Sequence, residues 1–197
     1  MLQECVFYYH SDIFQCAFCA HSPWAHPALG TVLGPGDRSS EIPVQFFGQY
    51  RQRLDARHRV ILPQSFRDAI GEAELRKGLV LTRGFDRCLY LFPACTWKAI
   101  AAEFSSVLFK GLDARMLERL FVGEAVDLRA DKLSRISLPG RFCEQAGVSG
   151  EVLFVGAAAR MEIWDPARWD ALEKPALERY EELAEAFHRL LHGPGKA

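Results

Sequence analysis

A cluster of arginines in residues 47–67 is the part of this sequence whose chemistry is easiest to anticipate. Five arginines stand in this segment against a single acidic residue, Asp55. Guanidinium groups at this density attract polyanions, and each can also form a bidentate hydrogen bond with the major-groove edge of guanine. The cluster therefore indicates a binding site for a polyanion such as nucleic acid, and a solvated surface is the simpler alternative.

An internal repeat gives this cluster a counterpart in the second half of the chain. The repeated positions are Asp55, Arg59, Leu62, Pro63 and Phe66 in the first copy and Asp131, Arg135, Leu138, Pro139 and Phe142 in the second. An aspartate and an arginine four residues apart can pair across a tight loop and leave neighbouring cations pointing outward. The spacing allows two roles for the two Asp–Arg pairs: contacts with a polyanion, or pairs that only stabilise a turn.

Both loops carry residues of the types that contact a polyanion. They are Arg51, Arg53, Arg57, His58 and Arg59 in the first copy and Arg129, Lys132 and Arg135 in the second, with Asp55 and Asp131 as the loop motif. Residues 121–145 of the second copy contain four basic and four acidic residues, so we expect the first copy to contribute more to DNA affinity. The sequence does not indicate which groove or which bases are read.

The elements that must position these loops follow from the periodicity of each copy. Both copies predict a strand, a tight loop, a second strand, a short helix begun by proline, a hairpin and a further helix. In the first strand, Arg51 and Arg53 alternate with Tyr50 and Leu54, as the two faces of a strand do. Hairpins are predicted from residues 79–82 with 88–92 and from residues 152–156 with 160–164, and helices from residues 97–109, 113–121 and 175–191.

Composition places the chain among globular proteins. Its 197 residues are 49% hydrophobic and 25% charged, and no segment approaches the roughly 20 apolar residues that a membrane-spanning helix needs. The N-terminus lacks the basic residues of a secretory signal, so we expect a cytoplasmic protein whose six cysteines are reduced. We find no phosphate-binding glycine loop or nucleophile elbow and predict no enzymatic activity and no cofactor.

Residues 1–43 contain no copy of the repeat and carry an excess of acidic residues. Within this leader, Cys16, Cys19 and His21 have the types and spacing of zinc ligands. Zinc sites of this kind usually pair two separated groups of ligands, which the leader does not offer, so we predict no metal site. We expect the leader to be disordered, or to result from a start assigned upstream of Val44, and to be dispensable for function.

The repeated motifs resemble those of the MraZ family, transcriptional regulators of the bacterial division and cell wall gene cluster. The resemblance covers residues 46–173 and rests on both Asp–Arg pairs and on three further motifs. These are Phe47-Gly48-Gln49-Tyr50, Leu81-Thr82-Arg83-Gly84, and Ile163-Trp164 followed by Pro166 and Trp169. One departure is that many members have glycine before each motif arginine, where this chain has His58 and Ser134. If the loop needs a positive φ there, a side chain costs about 1 kcal/mol or more.

The resemblance implies an α+β fold of two fused AbrB-like (SpoVT-type) repeats, which form a swapped-hairpin β-barrel with peripheral helices. It also implies a ring-shaped homo-oligomer that binds repeated promoter sites through paired loops. The expected units are a leader (1–43), a first domain (46–98), a helical connector (99–121), a second domain (122–170) and an amphipathic C-terminal helix (175–192).

From the residues and the resemblance together we predict a sequence-specific DNA-binding regulator, a repressor, which acts in the cytoplasm on the nucleoid. Its expected partners are promoter DNA and further copies of itself, with no membrane. Two alternatives stay open. One is another AbrB-like DNA binder of the antitoxin type, and the other is a ring-forming protein scaffold that does not bind DNA.

Overall fold

The computed structural model describes residues 44–105 and 111–192 of the chain. The first copy of the repeat forms two strands, two short helices, a hairpin and a longer helix. In order these are β1 (Gln49–Arg53), β2 (Arg59–Ile61), α1 (Gln64–Ile70), α2 (Glu72–Lys77), β3 (Leu79–Arg83), a 3₁₀ turn (Phe85–Arg87), β4 (Leu89–Pro93) and α3 (Ala94–Ser105). As predicted, Pro63 precedes α1 directly and Gly71 ends it.

After a connecting helix, the second copy repeats this order without counterparts of α2 and the 3₁₀ turn. It contains α4 (Leu112–Phe121), β5 (Val126–Leu128), β6 (Arg135–Ser137), α5 (Gly140–Ala146), β7 (Glu151–Ala157), β8 (Arg160–Trp164), α6 (Pro166–Glu178) and α7 (Tyr180–His192). Both predicted hairpins are present as β3 with β4 and β7 with β8. The α+β class is therefore confirmed.

The strands form one six-stranded antiparallel sheet and one small ribbon. The sheet has the order β1-β7-β8-β4-β3-β5, and the ribbon consists of β2 and β6. The two copies are interleaved, because β1 of the first copy pairs with β7 of the second and β4 pairs with β8. Within the described residues β1 and β5 are the edges of an open sheet, so closure into a barrel stays a prediction.

Two apolar cores cover opposite faces of this sheet, as the alternation within β4 shows. Leu89 and Leu91 belong to the first core, which also contains Phe66 of α1 and Phe142 of α5. Tyr90 and Phe92 belong to the second core, together with aromatic residues of α3, α4 and α6: Trp97, Phe104, Phe121 and Trp169. Because both faces are covered, the central strands are almost wholly buried. The sheet is thus a rigid base for the ribbon.

The C-terminal helix predicted over residues 175–192 is two helices in the structure. The first, α6, begins at Pro166 behind Asp165, whose Oδ1 accepts a hydrogen bond from Arg168 N at 2.9 Å. Pro175 lies inside α6, and the helix ends at Arg179, where φ is −113° and ψ is 22°. The prediction took Pro175 for a helix start, whereas Pro166 with its aspartate cap fills that role.

The connector predicted over residues 99–121 also differs in its bounds. The first of its helices, α3, begins at Ala94, immediately after β4. Residues 106–110 lie outside the described part of the chain. The second helix, α4, places Phe121 in the second core, which brings the connector against the sheet.

Candidate nucleic-acid interface

The first loop joins β1 to β2 and is organised by the carboxylate of Asp55. Its Oδ1 accepts hydrogen bonds from the backbone N–H groups of Arg57 and Arg59 at 2.8 and 2.9 Å. Its Oδ2 accepts a hydrogen bond from Nε of Arg59 at 2.8 Å and lies 2.7 Å from Nη2 of the same guanidinium. The backbone closes the turn, because His58 N donates to Asp55 O and Asp55 N donates to Arg59 O. One carboxylate thus fixes both the loop backbone and the side chain of Arg59.

The second loop joins β5 to β6 with the same geometry. Oδ1 of Asp131 accepts from the backbone N–H groups of Leu133 and Arg135 at 2.8 and 2.9 Å. Its Oδ2 accepts from Nε of Arg135 at 2.8 Å and lies 2.7 Å from Nη2. The pairing that the spacing allows is therefore present in both copies, and the loops are equivalent in three dimensions as well as in sequence.

The residue before each motif arginine has a left-handed backbone. His58 has a φ of 54° and Ser134 a φ of 58°. A residue with a side chain costs about 1 kcal/mol or more of conformational free energy at such a φ, which is why glycine is favoured at these positions. The hydrogen bonds to Asp55 and Asp131 hold the turns in this conformation against that cost. The departure from glycine noted in the sequence therefore leaves the loop geometry intact.

The ribbon of β2 and β6 connects the two loops directly. Leu62 N, just after β2, donates to Ser134 O in the second loop at 3.0 Å, and Leu138 N donates to His58 O in the first loop at 2.8 Å. The central residue of each strand is buried in the first core. An antiparallel pair has a local two-fold axis perpendicular to its plane, so equivalent residues of the two copies lie on the same face of the ribbon. Both loops consequently belong to one surface.

Arg67 makes a contact between the copies that sequence reasoning missed. Its Nη1, on α1, donates a hydrogen bond to Ser134 Oγ at 3.1 Å. The equivalent position on α5 is Cys143, a buried thiol. The arginine count in residues 47–67 included Arg67, but no local pattern could show that its side chain reaches the loop of the other copy.

The electrostatics of both loops follow from these hydrogen bonds. Bonds from the backbone and the side chain of Arg59 lower the pKa of Asp55 from 3.8 to about 2. The side chain of Arg135, followed by its backbone N–H, lowers the pKa of Asp131 as well. Both aspartates are therefore ionised at neutral pH, and each offsets the charge of the arginine that it holds.

The remaining predicted cations differ in how far they are paired. Arg51 lies 3.8 Å from Glu151 and 3.3 Å from Asp170, so two carboxylates oppose its charge. Arg57 and Lys132, at the loop tips, are exposed and form no ion pair with any described residue. Arg53 at the end of β1, His58 in the first loop and Arg129 after β5 are also exposed. After the internal pairs are counted, one cation remains at each loop tip.

The cysteines and acidic residues of the described part of the chain form no metal-binding cluster. Among the described residues no three potential metal ligands lie together, and the leader residues Cys16, Cys19 and His21 fall outside that part of the chain. Burial raises the pKa of the Cys88 thiol to about 12, which makes it a poor nucleophile. None of the helices that the structure describes is long and apolar enough to cross a bilayer.

Comparison with protein families matches this chain twice to one model. The model describes the MraZ protein, termed antitoxin-like, and it matches residues 45–120 and again residues 121–190. The two matches agree with the two copies of the repeat seen in the sequence and in the loops. Residues 1–43 lie outside both matches.

Individual relatives extend over nearly the whole of their own length. A protein of Carboxydothermus hydrogenoformans is 37% identical over 140 residues, which are 71% of this chain and 94% of the relative. One of Heliobacterium modesticaldum is 35% identical over the same shares of both chains. One of Halothermothrix orenii is 34% identical over 145 residues, which are 74% of this chain and 98% of the relative. Each of the three carries the name transcriptional regulator MraZ.

Proposed function

This chain belongs to the MraZ family, and from that premise we propose that it is a sequence-specific DNA-binding regulator of transcription. The observation that carries the proposal is the pair of equivalent loops on one surface, each with an exposed cation at its tip. A role in regulation rather than catalysis agrees with the names of the relatives.

In each loop the motif residues support the turn, and the residues at the tip contact DNA. Asp55 and Asp131 hold Arg59 and Arg135 within the turn, so these four residues act first as the support of the loop. Arg57 and Lys132 are placed to contact phosphates, and Arg53, His58 and Arg129 stand beside them. Phosphate contacts position a protein on the duplex, whereas contacts with base edges specify the sequence.

The finer role that we propose is repression of the division and cell wall gene cluster through repeated promoter sites. The protein would act in the cytoplasm on the nucleoid, as a ring-shaped homo-oligomer in which the copies of each chain close into a swapped-hairpin barrel. Such an assembly presents many loops to many sites, and linked weak sites gain about 10²-fold or more in affinity without any new contact.

Apolar side chains on the last helices support self-association. Leu177, Tyr180, Phe187 and Leu190 are each more than 60% exposed, and they follow one another along the end of α6 and along α7. A run of exposed apolar residues of this size is typical of an interaction surface. A second copy of the chain is the partner that the proposed ring would supply.

Binding of the full-length chain to a duplex from the promoter of the division gene cluster tests the proposal. We expect affinity that falls steeply with salt and that exceeds affinity for an unrelated duplex of the same length. A protein scaffold would bind neither duplex, and that result would exclude regulation by direct DNA binding.

A further inference from the structure

The two loop tips differ in one position that the repeat makes equivalent. Arg57 and Leu133 each donate a backbone N–H to Oδ1 of their loop aspartate, in both cases at 2.8 Å. The two side chains therefore stand at the same place in the two loops. One tip presents a guanidinium there, and the other presents a leucine that is 65% exposed.

The surroundings of Leu133 favour DNA over a protein partner. Its neighbour Lys132 is exposed and forms no ion pair with the described residues. The two-fold relation of the ribbon places this tip on the same surface as Arg57. A leucine beside a cation on such a surface meets whatever apolar group a bound polyanion can offer. In the major groove of DNA that group is the 5-methyl of thymine.

We infer that Leu133 is a specificity-determining residue, which reads a thymine methyl group, while Arg57 at the equivalent place of the other loop tip contacts phosphate. This inference rests on the proposed function of the loops. One tip that contacts a base and one that contacts only phosphate distinguish the two ends of each site. The pseudo-symmetric protein then binds an asymmetric sequence in one orientation only.

The test uses duplexes that the full-length chain enriches from a random DNA library. In an enriched duplex each thymine is replaced in turn by uracil, which lacks only the 5-methyl group. At one thymine per site we expect affinity to fall about fourfold, the factor that corresponds to about 0.8 kcal/mol for one buried methyl-sized group. The Leu133→Ala variant should bind the thymine and uracil duplexes equally.

Two further variants make the test specific. Leu112→Ala removes a leucine that is equally exposed, at 63%, but lies on α4 outside the loops, and it should keep the fourfold difference. Leu133→Arg places in the second loop the side chain that the first loop has at the equivalent position, and it should abolish the difference between the thymine and uracil duplexes.

The results separate this inference from the proposed function. If the chain enriches specific DNA but no thymine is sensitive to uracil, or if Leu133→Ala keeps the full difference, the role of Leu133 is wrong and DNA binding stands. If the chain binds DNA in a salt-dependent way without enriching any sequence, Leu133 reads no base. If the chain binds no DNA, the inference and the proposed function fail together.

Discussion

Removing the side chains of Arg57 and Lys132 should reduce the salt dependence of DNA binding, whereas removing that of Arg51 should change it little. Both of these side chains stand at the loop tips and form no ion pair with any described residue. Arg51 lies within 4 Å of Glu151 and Asp170, at 3.8 and 3.3 Å, and is already compensated.

The expected magnitude follows from counterion release. Each phosphate contact contributes about 0.9 to the slope of log affinity against log salt concentration. The double variant Arg57→Ala with Lys132→Ala should therefore flatten the slope by roughly 1.8 for each protomer that contacts DNA. Variants of Arg59 or Arg135 are poorer probes, because removing either would leave an uncompensated aspartate beside the phosphates.

Fluorescence anisotropy of a labelled promoter duplex, measured between about 50 and 200 mM salt, gives the slope. Arg51→Ala is the matched control, since it removes the same type of side chain from the strand that leads into the first loop. Circular dichroism should show that all variants keep the fold. If Arg51→Ala loses as much slope as the tip variants, the conclusion that Arg51 is compensated and the tip cations are not is refuted. An unchanged slope in the double variant would refute phosphate contact by the tips.

Three further outcomes follow from the structure. The carboxyl of Asp55 should titrate by NMR near pH 2 rather than 3.8, so its contribution to stability is full above about pH 4 and is lost as the pH falls through 2. In the Arg59→Ala variant the pKa of Asp55 should rise only in part, because backbone N–H donors remain. Gly156→Ala should lower thermal stability by about 1–3 kcal/mol, since its Cβ would lie 2.5 Å from the backbone of Phe46; an unchanged melting temperature would contradict this. Deleting residues 175–197 should reduce the number of protomers in the assembly, determined by light scattering, and an unchanged number would assign the apolar surface of the last helices another role.

The sequence predicted best those features that are set by neighbouring residues. The hairpin of β3 and β4 follows from two apolar segments around Gly84, and it forms with the expected strands. The Asp–Arg loops follow from the four-residue spacing together with the repeat. The location of helix α1 follows from Pro63 and Gly71, which lie at its two ends. In each case the signal and the structure lie within about ten residues of each other.

Contacts between the two copies could not be predicted in the same way. Nothing in the alternation of Arg51 and Arg53 indicates that β1 pairs with β7. Any other strand with the same alternation of polar and apolar residues would fit beside β1 equally well. The contact of Arg67 with Ser134 has the same origin, because it depends on how the copies interleave. The start of α6 was missed for a different reason, because the prediction began the helix at Pro175 and did not use Asp165, whose side chain caps the helix that begins at Pro166.

The loops show how a repeated motif can keep its shape while its contacts change. Asp55 and Asp131 use both carboxylate oxygens on their own loop, so the turn depends on the backbone N–H of the tip residue and not on its side chain. Any residue except proline can supply that N–H. The tip is therefore free to be Arg57 in one copy and Leu133 in the other at no cost to the turn. A duplicated domain of this kind can acquire an asymmetric binding surface by substitution at the tips alone, and the fold that supports them need not change.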